Sequence, residues 1–325
     1  MNSKAIIWTL SGLIALSSCA SKGKQTSDEV LQSIPFQKVT LQDNFWLPRL
    51  KTQKEVLVPF ALDKVRPAMD NLRKTGNYLN GVKDELPFPH RFVASDLYKV
   101  MEGAAYLLTL EKDPALEHTM DSIIDLIGRA QEADGYLYES HTTGVSANHE
   151  HWGGAGMGDK PYSWVVHSHE LYNMGHMYEG AVAYYQATGK DKWLKIAEKN
   201  ARHINHVFFE GDPKYNGGKP VNQAPGHEEI ELALVKLFHA TGDSLYLNMA
   251  KRFIDIRGVT YKPEGDGVMS PSYAQQHQPV RQQTKAVGHA VRATYLYSGM
   301  ADVMAQTGDQ TLRPALDSIW ANIVD

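Results

Sequence analysis

The sequence predicts an all-α fold of repeated helical hairpins, of the (α/α)6-barrel type. Three stretches that start at Gly175, Gly226 and Gly288 share a Gly-His start, an apolar helical pattern, a Thr-Gly break followed by Asp or Lys, and a second helical pattern. A weaker fourth copy starts at Ser95, with Asp113-Pro114 at the break. Glycine ends helices readily, so each break predicts a tight turn between two helices. Hairpins that recur along a chain indicate a stacked or closed helical array.

The predicted helices are too few for a closed barrel. With an N-terminal helix at roughly 50–73, the sequence contains about nine helices, whereas six hairpins need twelve. The last residues, SIWANIVD, carry no capping signal. We therefore expect residues 36–325 to form an incomplete (α/α)6 toroid.

The hydrophobic content and the net charge of the sequence limit the classes of protein to which the chain can belong. The chain has 325 residues, of which 42% are hydrophobic, enough for one large core or two modest ones. The net charge is −4, and no basic field is present that would recruit nucleic acid. We therefore expect no nucleic-acid partner.

The N-terminus predicts export. Lys4 precedes the 12-residue apolar run AIIWTLSGLIAL, which is too short to span a bilayer and suits a signal-peptide core. The following LSSC resembles a bacterial lipobox that ends at Cys19. We expect residues 1–19 to be a lipoprotein signal peptide, Cys19 to be acylated, and residues 20–35 to be a polar tether. This predicts a membrane-anchored lipoprotein in the periplasm or on the outer-membrane surface; the alternative is an ordinary cleaved signal with an incidental cysteine.

Cys19 is also the single cysteine of the sequence. An intramolecular disulfide, a thiolate metal site and a cysteine nucleophile are therefore all excluded downstream of it.

Long loops precede the first helix of each hairpin, and loops of this length are usually functional. In a helical-hairpin array these loops gather on one rim. Four polar residues stand at the helix starts on that rim: Asp96, His169, His227 and His289. Most of the 14 histidines fall in these loops or at these starts, which predicts a functional site there.

A metal site is one interpretation of the histidines. His149, His151, His167 and His169 are of a type that suits zinc, but no pair has the HExxH or CxxC spacing that makes a zinc prediction strong. We therefore predict no metal ligand. His176 shares a helix face with His169 and is interpreted as structural. Three further histidines lie within helices and are interpreted as satisfied or surface residues: His203, His206 and His239.

Carboxylates are a second source of chemistry, because glycosidases commonly need two of them facing a pocket. Five candidates occupy the rim or its loops: Asp96, Glu139, Glu170, Glu228 and Glu229. Acidic residues in a first helical turn are also favoured by the helix dipole, so no pair is singled out.

Neutral imidazoles at helix starts offer a third interpretation. A glycine before the histidine allows close backbone approach, and a neutral imidazole hydrogen-bonds hydroxyl groups well. Three such groups around one pocket suit a polyol or a sugar, so the residues alone predict a carbohydrate-facing rim.

Several motifs are similar to those of a known family. They include VTLQDNFWLPRL, SDLYKVMEGAAYLL, HELYNMGHMYEGAVAYYQATGK, PGHEEIELALVKLFHATGD and VGHAVRATYLYSGMADV. They resemble the catalytic domain of the β-L-arabinofuranosidase family, glycoside hydrolase family 127 (GH127), in order from about Phe36 to the last residue. The chain resembles the N-terminal part of that domain.

The resemblance implies an (α/α)6 barrel followed by β-sandwich domains, and retaining hydrolysis of terminal β-L-arabinofuranosides in plant-type glycans. It implies a zinc-bound cysteine nucleophile and a glutamate acid/base, and it makes His169, His227 and His289 sugar ligands. The family's nucleophile, acid/base and zinc ligands lie beyond the last residue of this sequence, so none is nominated. We expect that the 325-residue chain alone does not cleave these glycosides; zinc-dependent release of arabinose by it would contradict this.

Two other functions remain open at this point. One is a non-catalytic surface lipoprotein that binds glycans through the histidines. The other is a different (α/α)-barrel sugar enzyme, such as an epimerase or an unsaturated-uronide hydrolase, which would work without metal through Glu170, Glu228 or Glu229.

Overall fold

In the computed structural model, residues 34–145, 157–262 and 269–325 are described. These residues form α-helices joined by turns and loops, and they include no β-strand. The α-helices in chain order are α1 (Trp46–Thr52), α2 (Val58–Lys64), α3 (Arg66–Leu79), α4 (Val93–Leu110), α5 (Pro114–Ala130), α6 (Glu139–Thr142), α7 (Glu170–Thr188), α8 (Lys192–Asn205), α9 (Ile230–Thr241), α10 (Ser244–Ile256), α11 (Ala290–Thr307) and α12 (Arg313–Val324). The predicted all-α class is confirmed.

Within the described residues, nine of these helices have twelve or more residues, as the sequence predicted. At the N-terminus, α1 and α2 are joined by a π-helical turn at Gln53–Leu57, and α3 follows almost directly. The helical stretch therefore covers residues 46–79 and is longer than the predicted 50–73. Pro67 lies in the first turn of α3, and Pro59 directly follows the π-helical turn at the start of α2.

The predicted hairpin breaks are tight turns. Gly189, Gly242 and Gly308 follow α7, α9 and α11 with φ of 76°, 75° and 71°, the left-handed conformation that ends a helix. After the second of these turns, Asp243 caps α10 by accepting a hydrogen bond from the Leu245 N–H at 2.9 Å. In the fourth hairpin Asp113 caps α5 in the same way. These local residues therefore set the four hairpins.

The long helices form two layers. α7 packs between α4 and α9, and α9 also packs against α11, so these four helices form the inner layer. α5, α8, α10 and α12 follow their inner partners in the second layer, and α3 packs on α5. α7 is buried without interruption from Glu170 to Tyr184, as expected for a helix with neighbours on every side.

A glycine allows two inner helices to approach closely. A Cβ atom on Gly175 of α7 would lie 2.5 Å from Cγ of Glu229, the residue that precedes α9. The first turns of α7 and α9 are therefore in direct contact, and the polar side chains at these turns face one another.

Each long loop leads into the N-terminus of an inner helix, and neighbouring loops bond to each other. Asn173 of α7 donates to the Arg91 carbonyl before α4 at 2.8 Å, and the Gly226 N–H donates to the Val165 carbonyl at 3.3 Å. These bonds bring the loops to one end of the inner layer, as the hairpin register predicted.

Spanning a bilayer requires a helix of about 20 predominantly apolar residues, and the described helices were not built to that pattern. None of them is long and apolar enough to cross a membrane. The predicted signal peptide, Cys19 and almost all of the predicted tether lie outside the described residues, so the domain boundaries there stay predictions.

Candidate active site at the loop end of the helices

Three histidines from three different hairpins meet at the loop end. His169 is the N-cap residue of α7, His227 lies three residues before α9, and His289 is the N-cap residue of α11. The ring centroids of His169 and His227 are 5.6 Å apart, and those of His227 and His289 are 6.0 Å apart. We call these three side chains the histidine cluster. The sequence selected these residues because they stand at the starts of predicted helices on one rim, and the fold places them side by side.

The backbone around the cluster sets the tautomers of its members. Nδ1 of His169 lies 2.7 Å from the His167 carbonyl, and Nδ1 of His227 lies 2.7 Å from the Glu228 carbonyl. A carbonyl can only accept, so in both rings Nδ1–H donates and Nε2 is left as an acceptor. His289 is reversed, because its Nδ1 accepts from the Arg292 N–H at 3.4 Å and its neutral form carries the proton on Nε2.

The cluster is held in the neutral state. Burial, together with the charge of Arg292, lowers the pKa of His227 to about 2. Burial also lowers the pKa of His169 well below its usual range, with His227 and Arg292 adding to the effect. The pKa of His289 is lowered by the same two causes, burial first. The sequence predicted neutral imidazoles from their position at helix starts; the structure makes burial the main cause.

Aromatic rings border the cluster. The Tyr172 ring lies 4.1 Å from that of His227, and the Tyr295 ring lies 6.0 Å from it. Tyr273 is 5.3 Å from His289 on the exposed side. Sequence reasoning did not select these tyrosines. Tyr172 follows His169 by three residues and therefore shares its helix face, a signal that was present in the motif.

Arg292 holds the middle of the cluster in place and was also not selected from the sequence. Its guanidinium donates to the Gly226 carbonyl, and its side chain is buried. Gly226 has no room for a side chain, because an added Cβ would lie 1.8 Å from the Val166 carbonyl oxygen. The Pro-Gly-His segment is thus fixed between α11 and the loop before α7, which supports the predicted role of its glycine in close approach.

Two predicted carboxylates are bound in structural networks. Glu170 accepts from the Tyr136 hydroxyl at 2.6 Å, lies 3.1 Å from Nδ1 of His141, and accepts from the Tyr162 N–H at 3.1 Å. Burial raises the pKa of Glu170, but the charge interaction with His141 and the hydrogen bonds from His141 and Tyr136 outweigh burial and lower this pKa overall. Glu228 accepts from Arg257 at 2.7 Å, and both side chains are fully buried.

Two other predicted carboxylates, Asp96 and Glu139, lie in contrasting environments. Asp96 is exposed and lies 4.0 Å from the Lys99 ammonium. Glu139 is buried, and burial raises its pKa to about 7. The structure therefore does not bring the five predicted carboxylates together, and they do not form a pair that faces one pocket.

Glu229 lies in a separate cluster beneath the histidines. Nδ1 of His176 is 3.3 Å from Oε1 of Glu229 and 3.7 Å from Oε2 of Glu179. All three side chains are buried, and we call them the buried triad. The His176 ring is 4.7 Å from that of Tyr172, and the Tyr172 ring also contacts His227, so the triad adjoins the histidine cluster through Tyr172. The sequence interpretation of His176 as structural did not pair it with either glutamate, because the three residues come from separated stretches of the chain.

The remaining histidines have varied environments. His149 and His151 lie outside the described residues. His167 is buried, and its carbonyl orients His169. His203 is buried 3.8 Å from Asp134, and His206 is exposed and bonded to Glu210.

A model of the GH127 β-L-arabinofuranosidase catalytic domain matches residues 38–325. The chain belongs to this family. It is 40% identical over 250 residues to a non-reducing end β-L-arabinofuranosidase of Bifidobacterium longum subsp. longum, a match that covers 72% of this chain and 35% of that protein.

Solved structures of GH127 proteins share the fold. One GH127 β-arabinofuranosidase matches with a TM-score of 0.78 and 42% identity over 90% of this chain and 43% of its own. The GH127 β-L-arabinofuranosidase Ara127N from Geobacillus stearothermophilus T6 matches with a TM-score of 0.74 and 36% identity over 88% of this chain and 45% of its own. The fold is therefore of the (α/α)-barrel type, and the chain spans less than half the length of these relatives.

The zinc that the family resemblance implies needs a thiolate ligand. The single cysteine of the sequence is Cys19, which lies outside the described residues. The described residues therefore do not fit a cysteine-bound zinc. The buried triad offers one nitrogen and two carboxylates, a donor set of a different kind.

Proposed function

We propose that the chain is the sugar-binding part of a glycoside hydrolase that releases terminal β-L-arabinofuranosyl residues from plant-type glycans with retention of configuration. We propose that the histidine cluster binds the sugar and that these 325 residues alone do not carry out the cleavage. The observation that carries this proposal is the meeting of His169, His227 and His289 from three hairpins. Membership of the GH127 family supports the substrate class, since the matched Bifidobacterium protein is a non-reducing end β-L-arabinofuranosidase.

The tautomers of the cluster match a ring that carries several hydroxyl groups. Nε2 of His169 and of His227 would each accept a hydrogen bond from a sugar hydroxyl, and Nε2–H of His289 would donate one to a sugar oxygen. Neutral imidazoles make these bonds without a charged partner, which suits an uncharged sugar. Tyr172 and Tyr295 give the pocket aromatic walls against which the apolar face of a sugar ring packs.

The histidine cluster accounts for binding and orientation of the sugar. The described residues contain no thiol, and none of them is assigned as the nucleophile. The family resemblance implies a zinc-bound cysteine as the nucleophile of retaining hydrolysis, and the described residues supply no such group.

A binding measurement tests this proposal. We expect the purified protein to bind methyl β-L-arabinofuranoside in isothermal titration calorimetry, and His227→Ala to weaken binding by about 10-fold, the loss of one hydrogen bond. His239 is a matched control, because it is an exposed histidine in α9, close to His227 in sequence but outside the cluster. His239→Ala should bind as the wild type does. Unchanged binding by His227→Ala would contradict the assigned role of the cluster.

We further propose that the protein is exported and anchored to the membrane through acylated Cys19. The support is the sequence of residues 1–19, with its apolar run and lipobox-like end. Cells fed radiolabelled palmitate should label the wild-type protein in the membrane fraction. Cys19→Ser should lose the label and leave that fraction; a labelled Cys19→Ser protein would refute the anchor.

A further inference from the structure

The buried triad has the geometry of metal ligands. Its three donor atoms, from His176, Glu179 and Glu229, all lie within 4.8 Å of one another, and the two distances from Nδ1 of His176 are 3.3 and 3.7 Å. A zinc-like ion binds nitrogen and carboxylate oxygen at about 2.0–2.2 Å, so two ligands in a tetrahedral site lie about 3.3–3.6 Å apart. The triad is close to this spacing before any ion is bound.

The donor atoms of the triad also lack partners. Both ring nitrogens of His176 and both carboxylate oxygens of Glu229 are buried and form no well-aligned hydrogen bond within the described residues, although Nδ1 of His176 lies 3.3 Å from Oε1 of Glu229. The His176 side chain is 3% exposed and that of Glu229 is fully buried. Buried polar atoms nearly always have a partner, because leaving them unpaired costs free energy. Nδ1 of His176 lies 3.3 Å from Glu229 and 3.7 Å from Glu179, so one additional group bound among these three atoms would be a partner for each of them.

The carboxylates around the triad outnumber the ammonium groups that pair with them. Glu102 and Glu179 lie beside the Lys236 ammonium, which bonds to Glu179 and is 4.0 Å from Glu102. Lys99, the other nearby ammonium, donates to the Tyr172 hydroxyl and lies 4.0 Å from Asp96. If Glu102, Glu179 and Glu229 are all ionised, Lys236 neutralises only one of them and two negative charges remain. One divalent cation would neutralise both.

We propose that the buried triad binds one divalent first-row transition-metal ion through Nδ1 of His176, Oε2 of Glu179 and Oε1 of Glu229. The mixed nitrogen and oxygen donors suit Zn²⁺, Co²⁺ or Mn²⁺. This site is separate from the cysteine-bound zinc that the family resemblance implies. The ion joins α7 to the residue preceding α9, two positions after His227, and so fixes the segment that carries His227.

Metal content is the direct test. The purified protein is treated with a chelator, dialysed and titrated with Co²⁺ and then Zn²⁺. We expect about one Co²⁺ per chain by inductively coupled plasma mass spectrometry, visible Co²⁺ absorption bands, and their loss when Zn²⁺ displaces the cobalt. Glu229→Gln keeps the shape of the side chain and removes its charge, and it should weaken binding by about 100-fold or more. A metal-dependent rise in melting temperature should be seen for the wild type and lost in Glu229→Gln.

The His227→Ala variant distinguishes metal bound at the triad from metal bound at the histidine cluster, whose imidazoles are also possible ligands. This variant should keep the metal. His176→Gln provides a second ligand variant in case Glu229→Gln does not fold. Absence of stoichiometric metal from the wild type with Zn²⁺, Co²⁺ and Mn²⁺ would refute the proposal, as would full binding by the ligand variants. A proton shared between Glu179 and Glu229 would then explain how these two buried carboxylates lie in one triad. Metal content and melting temperature do not depend on arabinoside binding, so this test is independent of the proposed function.

Discussion

At the scale of single residues, the immediate partners of each histidine decide its proton state. Burial keeps His227 neutral, whereas His206 is exposed, bonds to Glu210, and has its pKa raised by that bond. His169 and His227 point Nε2 at the pocket because a backbone carbonyl holds Nδ1. The three residues have the same side chain, so these differences come from the local fold.

The neutral state of His227 predicts a pH dependence of stability. Its pKa of about 2 in the folded protein lies below the usual 6.5, so between these values the unfolded state binds more protons. The stabilisation from His227 is complete above pH 6.5 and is lost as the pH falls toward 2, by up to about 1.4 kcal/mol per pH unit. His227→Gln removes this group. The free energy of unfolding, measured by urea denaturation at pH 7.0 and 5.5, should therefore fall more for the wild type than for His227→Gln.

A histidine that already titrates in the folded state provides the control. His206→Gln should not reduce the loss of stability at low pH, because the bond to Glu210 raises the pKa of His206. An equal loss for the wild type and His227→Gln would show that His227 is not held neutral by the fold.

At the scale of elements, the contact between α7 and α9 depends on one glycine. Gly175→Ala would place Cβ 2.5 Å from Cγ of Glu229, and relief of that contact requires movement of a fully buried side chain. We expect a loss of about 1–3 kcal/mol in the free energy of unfolding, the usual cost of overpacking a core.

The matched control for this prediction is Gly103 of α4. An added Cβ there meets nothing within 4 Å, and the residue is exposed in the middle of a helix. Gly103→Ala should stabilise the protein by about 0.5–1 kcal/mol, because alanine favours helix more than glycine. Chemical denaturation of both variants would measure the difference, and equal stability would rule out close packing at Gly175.

At the scale of the whole molecule, Arg257 joins separate parts of the fold. It is fully buried at the end of α10, and it bonds to Glu228 at 2.7 Å and to Glu231 at 2.8 Å. It also donates to the carbonyls of Pro225 and Ala274, in the loops before α9 and α11. One side chain therefore links two long loops and the start of α9.

Removal of Arg257 should destabilise the molecule strongly. Arg257→Leu leaves two buried carboxylates without their cation, and the loss of one partner from a buried ion pair typically costs about 3–5 kcal/mol. Arg313, exposed and paired with Asp317 at 3.4 Å, is the comparison, and Arg313→Leu should change stability by less than about 1 kcal/mol. Thermal and urea unfolding would measure both; a small effect of Arg257→Leu would show that the loops are held by other contacts.

The hairpins and part of the site were predictable from the sequence because their causes are local. The breaks at Gly189, Gly242 and Gly308 need a left-handed residue, and glycine supplies it wherever it occurs. The shared Gly-His motif also identified His227 and His289, because equivalent helix starts in a hairpin array lie at the same end.

The tertiary structure alone decided the rest, because it depends on contacts between residues that are distant in the sequence. Glu229 lies 3.3 Å from His176, which is 53 positions away in the sequence. Glu170 is bound by Tyr136 and does not face the histidine cluster. Before folding, each of these carboxylates has the same acidic side chain and the same intrinsic pKa. Burial and partners separate them into structural anchors and a member of the buried triad. The sequence by itself thus determined the helical hairpins and the histidine cluster, and packing decided which other polar groups surround it.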